Sequence, residues 1–322
     1  VCYGHTEHQR CAAVPENTED GGILRVRNRT EVDTVNTRTK GFLATVVSAT
    51  FFGFIPLMVK VVCSGGGNTL AAAFYRFALS LPALYIYLKC KKIPMGITKK
   101  QLWDIILITV LGYGGTTLIL FSSYNYIPLG MATTIHFTYP VFTILGCVIF
   151  LREKIQKMKV LAVVLSFGGI LFFYNTDGSV SLPGMALAFA SGMTYAFYTI
   201  YLRESSLKDM DSVKLIFYLN TVGAVMMGAV ALATGDFTVG LTPTAWAVAV
   251  FLAVTASFIG VLGYQVGVKC IGPQNTAILS TFEPITSVIL GILVYQESFS
   301  LRTLLGCLCI LSSVVIVAKM KD

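Results

Sequence analysis

The chain has 322 residues, of which 55% are hydrophobic and only 12% charged, with a formal net charge of +8 and a mean hydropathy of +0.74. So little charge cannot cover the surface of a soluble domain of this length, which excludes a soluble enzyme or binding module. The positive balance does not imply a nucleic-acid partner, because the basic residues are dispersed through short segments between apolar runs instead of forming one electrostatic face.

Residues 1–40 stand apart. They carry six basic residues (Arg10, Arg25, Arg27, Arg29, Arg38 and Lys40), six acidic ones and no long apolar run, so they read as a disordered cytoplasmic tail. The apolar centre and small-residue cleavage site of a signal peptide are missing. Asn28-Arg29-Thr30 fits a glycosylation acceptor, and in a polar tail it reads as a chance match.

Apolar segments then follow at 41–63, 69–88, 102–122, 129–150, 158–174, 183–202, 212–233, 244–267, 274–295 and 301–318. Each is near the ~20 residues that cross a hydrocarbon core, which predicts an all-α integral membrane protein of ten transmembrane helices. Eighteen Lys and Arg follow the tail, and fifteen of them fall in alternate loops or at the C-terminal end. Only Lys60, Arg76 and Arg302 lie elsewhere. The alternation places both termini in the cytoplasm and suits a multi-pass protein of the plasma (inner) membrane. The eight cysteines are scattered with no CxxC pair, so neither a disulfide framework nor a metal site is expected, and no cofactor is implied.

The chain also resembles itself. At an offset of 143, Gly41 meets Gly184, Ser48 meets Ser191, and Phe74-Tyr75 meets Phe217-Tyr218; at an offset of 144, Pro140 meets Pro284 and Glu153 meets Glu297. Two repeats follow, 41–174 and 183–318, each of five helices. Because five is odd, the second enters the membrane from the opposite side, an inverted repeat of the kind found in secondary transporters.

The residues that carry a family resemblance are Gly41 through Lys60, Phe74-Tyr75-Arg76-Phe77, Thr138-Tyr139-Pro140 leading to Leu151-Arg152-Glu153-Lys154, Leu182-Pro183-Gly184, and Thr281-Phe282-Glu283-Pro284 leading to Tyr295-Gln296-Glu297. Over roughly 41–318 the chain resembles the drug/metabolite transporter superfamily, in particular its ten-helix EamA-type members. The resemblance implies two inverted five-helix bundles around a central cavity, helices 1–4 and 6–9 lining it, 5 and 10 outside it, and solute transport by alternating access. Phe51-Phe52-Gly53 departs from the Leu-Trp-Gly expected in the first helix, so no substrate is carried over from it.

Ionisable groups inside spans are costly and so are functional candidates. Glu283, read as mid-span beside Pro284, suits cation or proton binding, or else is a structural partner of a buried Lys or Arg. His136, one turn before Pro140, is either a proton carrier or a neutral histidine bonded to a facing helix. Arg76 can clamp a carboxylate or phosphate, pair with Glu283, or snorkel. Lys60, near a span end, favours snorkelling, and Asp104 a solvated interface. Tyr113, Tyr139, Tyr195, Tyr198 and Tyr264 can hydrogen-bond a polar solute, Tyr139 standing out because it aligns with Glu283. Gly263 and Gly267 form a GxxxG that serves close packing within the protomer or a homodimer.

A membrane-embedded enzyme would need a reactive constellation, and a channel a filter loop or charge rings; neither is visible. The expected function is a secondary transporter, an exporter or exchanger, of a small polar metabolite or drug, with the solute and the lipid bilayer as partners.

Overall fold

The computed structural model describes residues 37–151, 157–172, 181–280, 282–295 and 301–318; most of the tail expected at 1–40 lies outside them. The chain divides into Val1–Thr39 and Lys40–Asp322, and every cavity described below belongs to the latter. Every regular element among the described residues is helical. In chain order the helices are α1 (Thr37–Ser64), α2 (Thr69–Cys90), α3 (Lys99–Ser123), α4 (Leu129–Phe150), α5 (Lys157–Leu171), α6 (Leu182–Glu204), α7 (Ser212–Thr234), α8 (Pro243–Gly272), α9 (Phe282–Tyr295) and α10 (Leu301–Ala318).

Seven of these, all but α5, α9 and α10, are long and apolar enough to cross a membrane. The described lengths of α5 and α9, 15 and 14 residues, fall short of the ~20 expected of a crossing. The stretches 152–156, 173–180 and 296–300 beside them lie outside the described residues. Large side chains such as Trp103, Phe150, Val225 and Leu232 are more than two-thirds exposed, the outward face that a helix in lipid presents.

Local chemistry starts the helices where it should. Asn68, Thr98, Ser181, Asp211 and Thr242 each accept a hydrogen bond from the backbone N–H three residues on, and Thr98 completes a reciprocal capping box with Gln101. Gly235 ends α7 at φ 75°, a conformation that costs glycine nothing.

Inside the spans, prolines and glycines interrupt the regular helix. α1 breaks at Phe54 just before Pro56, and α2 at Leu79-Ser80 just before Pro82. α4 breaks after His136, with Tyr139-Pro140 opening its second half. After the kink at Gly272 (φ 82°), the chain turns at Ser280, and Phe282-Glu283-Pro284 opens α9. Sequence reading put Glu283 mid-span beside Pro284; the chain is helical from the Gly272 kink to Leu279, turns at Ser280, and resumes with Glu283 and Pro284 in the first turn of α9. The physical reason is that proline lacks an N–H and clashes with the preceding turn, but is well suited to the start of a helix. α3 and α8 instead widen into π-helix at Ile108–Tyr113 and Ala253–Gly260. Gly115 permits the first of these, since a Cβ there would lie 2.4 Å from the Val110 carbonyl oxygen.

Buried hydroxyls are satisfied locally. Thr109, Thr117, Thr143, Thr199 and Thr255 each donate to the carbonyl four residues back, which removes the cost of a lone O–H in an apolar core. Helices of the two halves interleave: α6 packs on α3 and α4, α7 on α2 and α3, and α8 on α1 and α2, while α10 packs chiefly on α5. Gly263 and Gly267 face α1, where a Cβ would come within 2.5 Å of the Ala44 carbonyl oxygen and 2.1 Å of Thr45 Oγ1. That GxxxG therefore serves packing inside one protomer.

Candidate functional site

Three of the charged or titratable candidates meet. Arg76 from α2, His136 from the end of the first half of α4 and Glu283 from the first turn of α9 line one small cavity, together with Phe52, Thr116, Phe121, Tyr124 and Tyr195. Its volume is ≈ 40 Å³. That space holds roughly three waters, well short of the ~300 Å³ or more of a usual small-molecule site.

Arg76 is 6% exposed. Its Nε donates to Ser257 Oγ at 2.9 Å, and its guanidinium lies 5.6–5.9 Å from the ring centres of Phe77, Tyr113 and Phe121. These contacts hold a weakly hydrated, planar cation in a dry setting. Ser257 belongs to the π segment of α8, and Asn220 of α7 donates to its carbonyl oxygen (3.1 Å) and to Ser80 Oγ at the α2 break (2.7 Å). The π segment of α8 thus supplies the arginine's anchor, and Asn220 ties that segment to the α2 break.

Glu283 is 8% exposed, and its carboxylate has no hydrogen-bond or ion-pair partner among the described residues. The Glu283–Arg76 pairing raised by the sequence is not formed: Arg76 bonds Ser257 instead, although it is the charge that acts on Glu283 through space. The position at a helix start favours an anion, because the unpaired N–H groups and the dipole there are positive. Gly53 lets α1 approach: a Cβ there would sit 2.8 Å from the Glu283 carbonyl oxygen and 2.5 Å from Thr286 Cβ.

His136, 4% exposed, lies with Nδ1 2.9 Å from Ser191 Oγ on the facing helix α6. Ser191 gives its only proton to the Ala188 carbonyl at 2.6 Å, so it accepts from His136 Nδ1–H. Hydrogen-bond accounting therefore assigns the tautomer and leaves the Nε2 lone pair uncommitted.

Next to the cavity lies a tyrosine cluster. The rings of Tyr139, Tyr198 and Tyr264 lie 4.7, 5.5 and 5.3 Å from Tyr195, and Tyr113 is 5.6 Å from Tyr198. Tyr264 Oη is 2.9 Å from Thr199 Oγ1, and Gln265 donates to Tyr198 Oη at 3.3 Å. The hydroxyls of Tyr113 and Tyr139 and the Gln265 side-chain carbonyl are buried without a partner among the described residues. Of the five tyrosines singled out by sequence, only Tyr195 touches the cavity itself. Lys60, in the second half of α1, is half-buried and away from it. Asp104 is no plain solvated residue: it accepts from Tyr201 Oη (2.8 Å) and from Ser206 N and Oγ (3.2 and 2.5 Å). Sequence reasoning missed Ser257, Thr116, Phe121 and Tyr124, ordinary residues in apolar runs whose spacing carries no signal.

The EamA-like transporter family model matches residues 39–175 and again 182–319. The chain belongs to the EamA-like transporter family. Within the reach of this EamA-like protein's sequence, "Uncharacterized transporter YvbV" of Bacillus subtilis is 26% identical over 230 residues, covering 68% of this chain and 72% of its own. An "Uncharacterized transporter" of Archaeoglobus fulgidus is 24% identical over 276 residues, covering 86% of this chain and 95% of its own. A protein of known crystal structure superposes with a TM-score of 0.68 at 13% identity, over 86% of this chain and 96% of that one, which shows the fold. The EamA-like protein is thus a multi-pass integral membrane protein of a transporter family.

Proposed function

We propose that this EamA-like protein is a secondary transporter, exporter or exchanger, that carries a small polar metabolite by alternating access through ten spans arranged as two inverted five-helix halves. The observation that carries the reading is the small cavity that Arg76 of the first repeat and Glu283 of the second, a base and an acid not bonded to each other, line together. An unpaired charge in such surroundings is costly and calls for a counterpart that comes and goes. Arg76 suits an anionic group of the solute and Glu283 a cationic group or a proton, with His136, Tyr113, Tyr139 and Tyr264 as neighbouring polar groups and Lys60 at the periphery.

Matched contacts support the inverted repeat. Tyr75 Oη donates to the Thr238 carbonyl and Tyr218 Oη to the Met95 carbonyl, both ends of the second contact lying 143 positions from those of the first. Gly41 packs on Cys270 and Ile271, and Gly184 on Tyr126 and Ile127, the same pairing at offsets of 143 and 144. The cap of Asn68 on Ala71 recurs as Asp211 on Lys214, and that of Thr98 on Gln101 as Thr242 on Ala245. The positive-inside count supports cytoplasmic termini and a plasma-membrane setting.

The experiment is uptake into proteoliposomes, with the solute first found by screening metabolites for thermal stabilisation of the purified protein. Glu283→Gln should abolish coupled uptake and leave the fold intact; wild-type transport by that variant removes Glu283 from the mechanism.

A further inference from the structure

A second, larger cavity lies beyond the first. It is bounded by the start of α2, the end of α3 and the end of α7, and its volume is ≈ 270 Å³. Its lining includes Asn68, Thr69, Ser122, Asn125, Thr234 and Asp236. Phe121 lines both cavities, stacked on Tyr124 at 5.5 Å and 27°, so one aromatic layer separates them.

The polar atoms of this outer cavity are mostly committed as donors. Ser122 Oγ gives its proton to the Leu118 carbonyl (2.7 Å) and Thr234 Oγ1 to that of Val230 (3.1 Å). Asn68 donates to the Asp236 carbonyl (2.8 Å) while its Oδ1 caps Ala71, Asn125 donates to Thr69 Oγ1 (3.2 Å), and Thr69 Oγ1 donates to Asn125 Oδ1 (3.5 Å). What these hydroxyls still offer is lone pairs; the second hydrogens of the two amides are the remaining side-chain donors. The Asp236 carboxylate has no partner among the described residues, and it is the one charged side chain lining the cavity. A space rich in acceptors, with one carboxylate and room for a small organic molecule, is complementary to a donor-rich cation.

We propose that this cavity is a binding site for small organic ammonium compounds, with Asp236 as the counter-ion. Its role as the last station before Phe121 and the central cavity rests on the transport reading; the binding itself does not.

The test uses the full chain purified in detergent and its thermal unfolding midpoint in ethanolammonium chloride, against sodium chloride at equal ionic strength. Wild-type protein and Glu283→Gln should be raised alike by ethanolammonium and not by sodium. Asp236→Asn, whose lost carboxylate makes no bond among the described residues, should need up to roughly five-fold more ethanolammonium for the same shift, the upper end of what one exposed ion pair supplies. Equal response of Asp236→Asn and wild type, an equal effect of sodium, or no response in the wild type overturns the proposal. So does a response lost in Glu283→Gln and kept in Asp236→Asn, which would place the amine in the central cavity. Uptake by Glu283→Gln is read separately, so failure of the outer site and failure of the transport reading are distinguishable.

Discussion

Arg76 and Glu283 are buried charges held in different ways, and their variants should separate accordingly. Arg76 is anchored by Ser257 and three rings. Arg76→Lys keeps the charge but loses the planar fork, the Nε bond and the ring stacking, so we expect a stability loss of about 2 kcal/mol in thermal unfolding and a large drop in uptake. Unchanged stability would mean that the Ser257 bond contributes nothing. The Glu283 carboxylate makes no hydrogen bond or ion pair among the described residues. Glu283→Gln replaces a buried acid without a partner among the described residues by a neutral amide of the same shape, so its unfolding midpoint should equal or exceed that of wild type while uptake is lost. A clear fall in midpoint would instead mark the carboxylate as structural. The residue types were legible in the sequence because charges inside apolar runs are conspicuous. Their partners were not: Ser257 lies 181 positions from Arg76 and looks like any serine in a span. The tyrosines were legible as polar groups at depth, but only the packing decides that Tyr195 reaches the cavity and that Tyr139 and Tyr264 stand behind it.

At the scale of elements, run length and loop charge recover where the helices lie, and α1 to α4 and α6 to α8 sit within a few residues of the apolar segments. What run length cannot give is the interruption inside a helix. Prolines at 56, 82, 140 and 284 signal that something happens, and the physics of the missing N–H allows either a kink or a new start. Here they open new helical pieces, and the turn before each piece brings Phe52, Arg76, His136 or Glu283 near the cavity. Close approach of α1 to α9 depends on Gly53. In Gly53→Ala the added methyl meets the Glu283 carbonyl oxygen, a backbone atom that cannot swing aside, so α9 must shift. The expected cost is about 1–3 kcal/mol of stability together with reduced uptake, measured by thermal unfolding and transport on the same preparation. Gly168→Ala, where a Cβ would meet nothing within 4 Å, is the matched control and should change neither.

For the whole molecule, the question is how a cavity with room for a few waters can serve a metabolite. Phe121 and Tyr124 line the central space and the tyrosine cluster adjoins it at Tyr195, and on the transport proposal these are the two seals of alternating access. On the inverted-repeat proposal these two seals are related: Phe121 lies 144 positions before Gln265, whose amide bonds Tyr198 within the cluster. Two halves with matched contacts but different seals can exchange open sides at small energetic difference, which population shift by a solute requires. The seals can be tested one at a time. In a background freed of reactive native cysteines, Thr117→Cys places a thiol in the central cavity. Adding Phe121→Ala removes the layer between the two cavities, so a membrane-impermeant thiol reagent should label that cysteine several-fold faster from the Asp236 face and no faster from the face of Gly96. Gly96 marks the opposite face because its carbonyl accepts from Lys214 near the start of α7, whereas Asp236 follows the end of the same helix. Equal acceleration from both faces would mean that Phe121 supports the bundle as a whole, and no acceleration would mean that the outer cavity is not on the path.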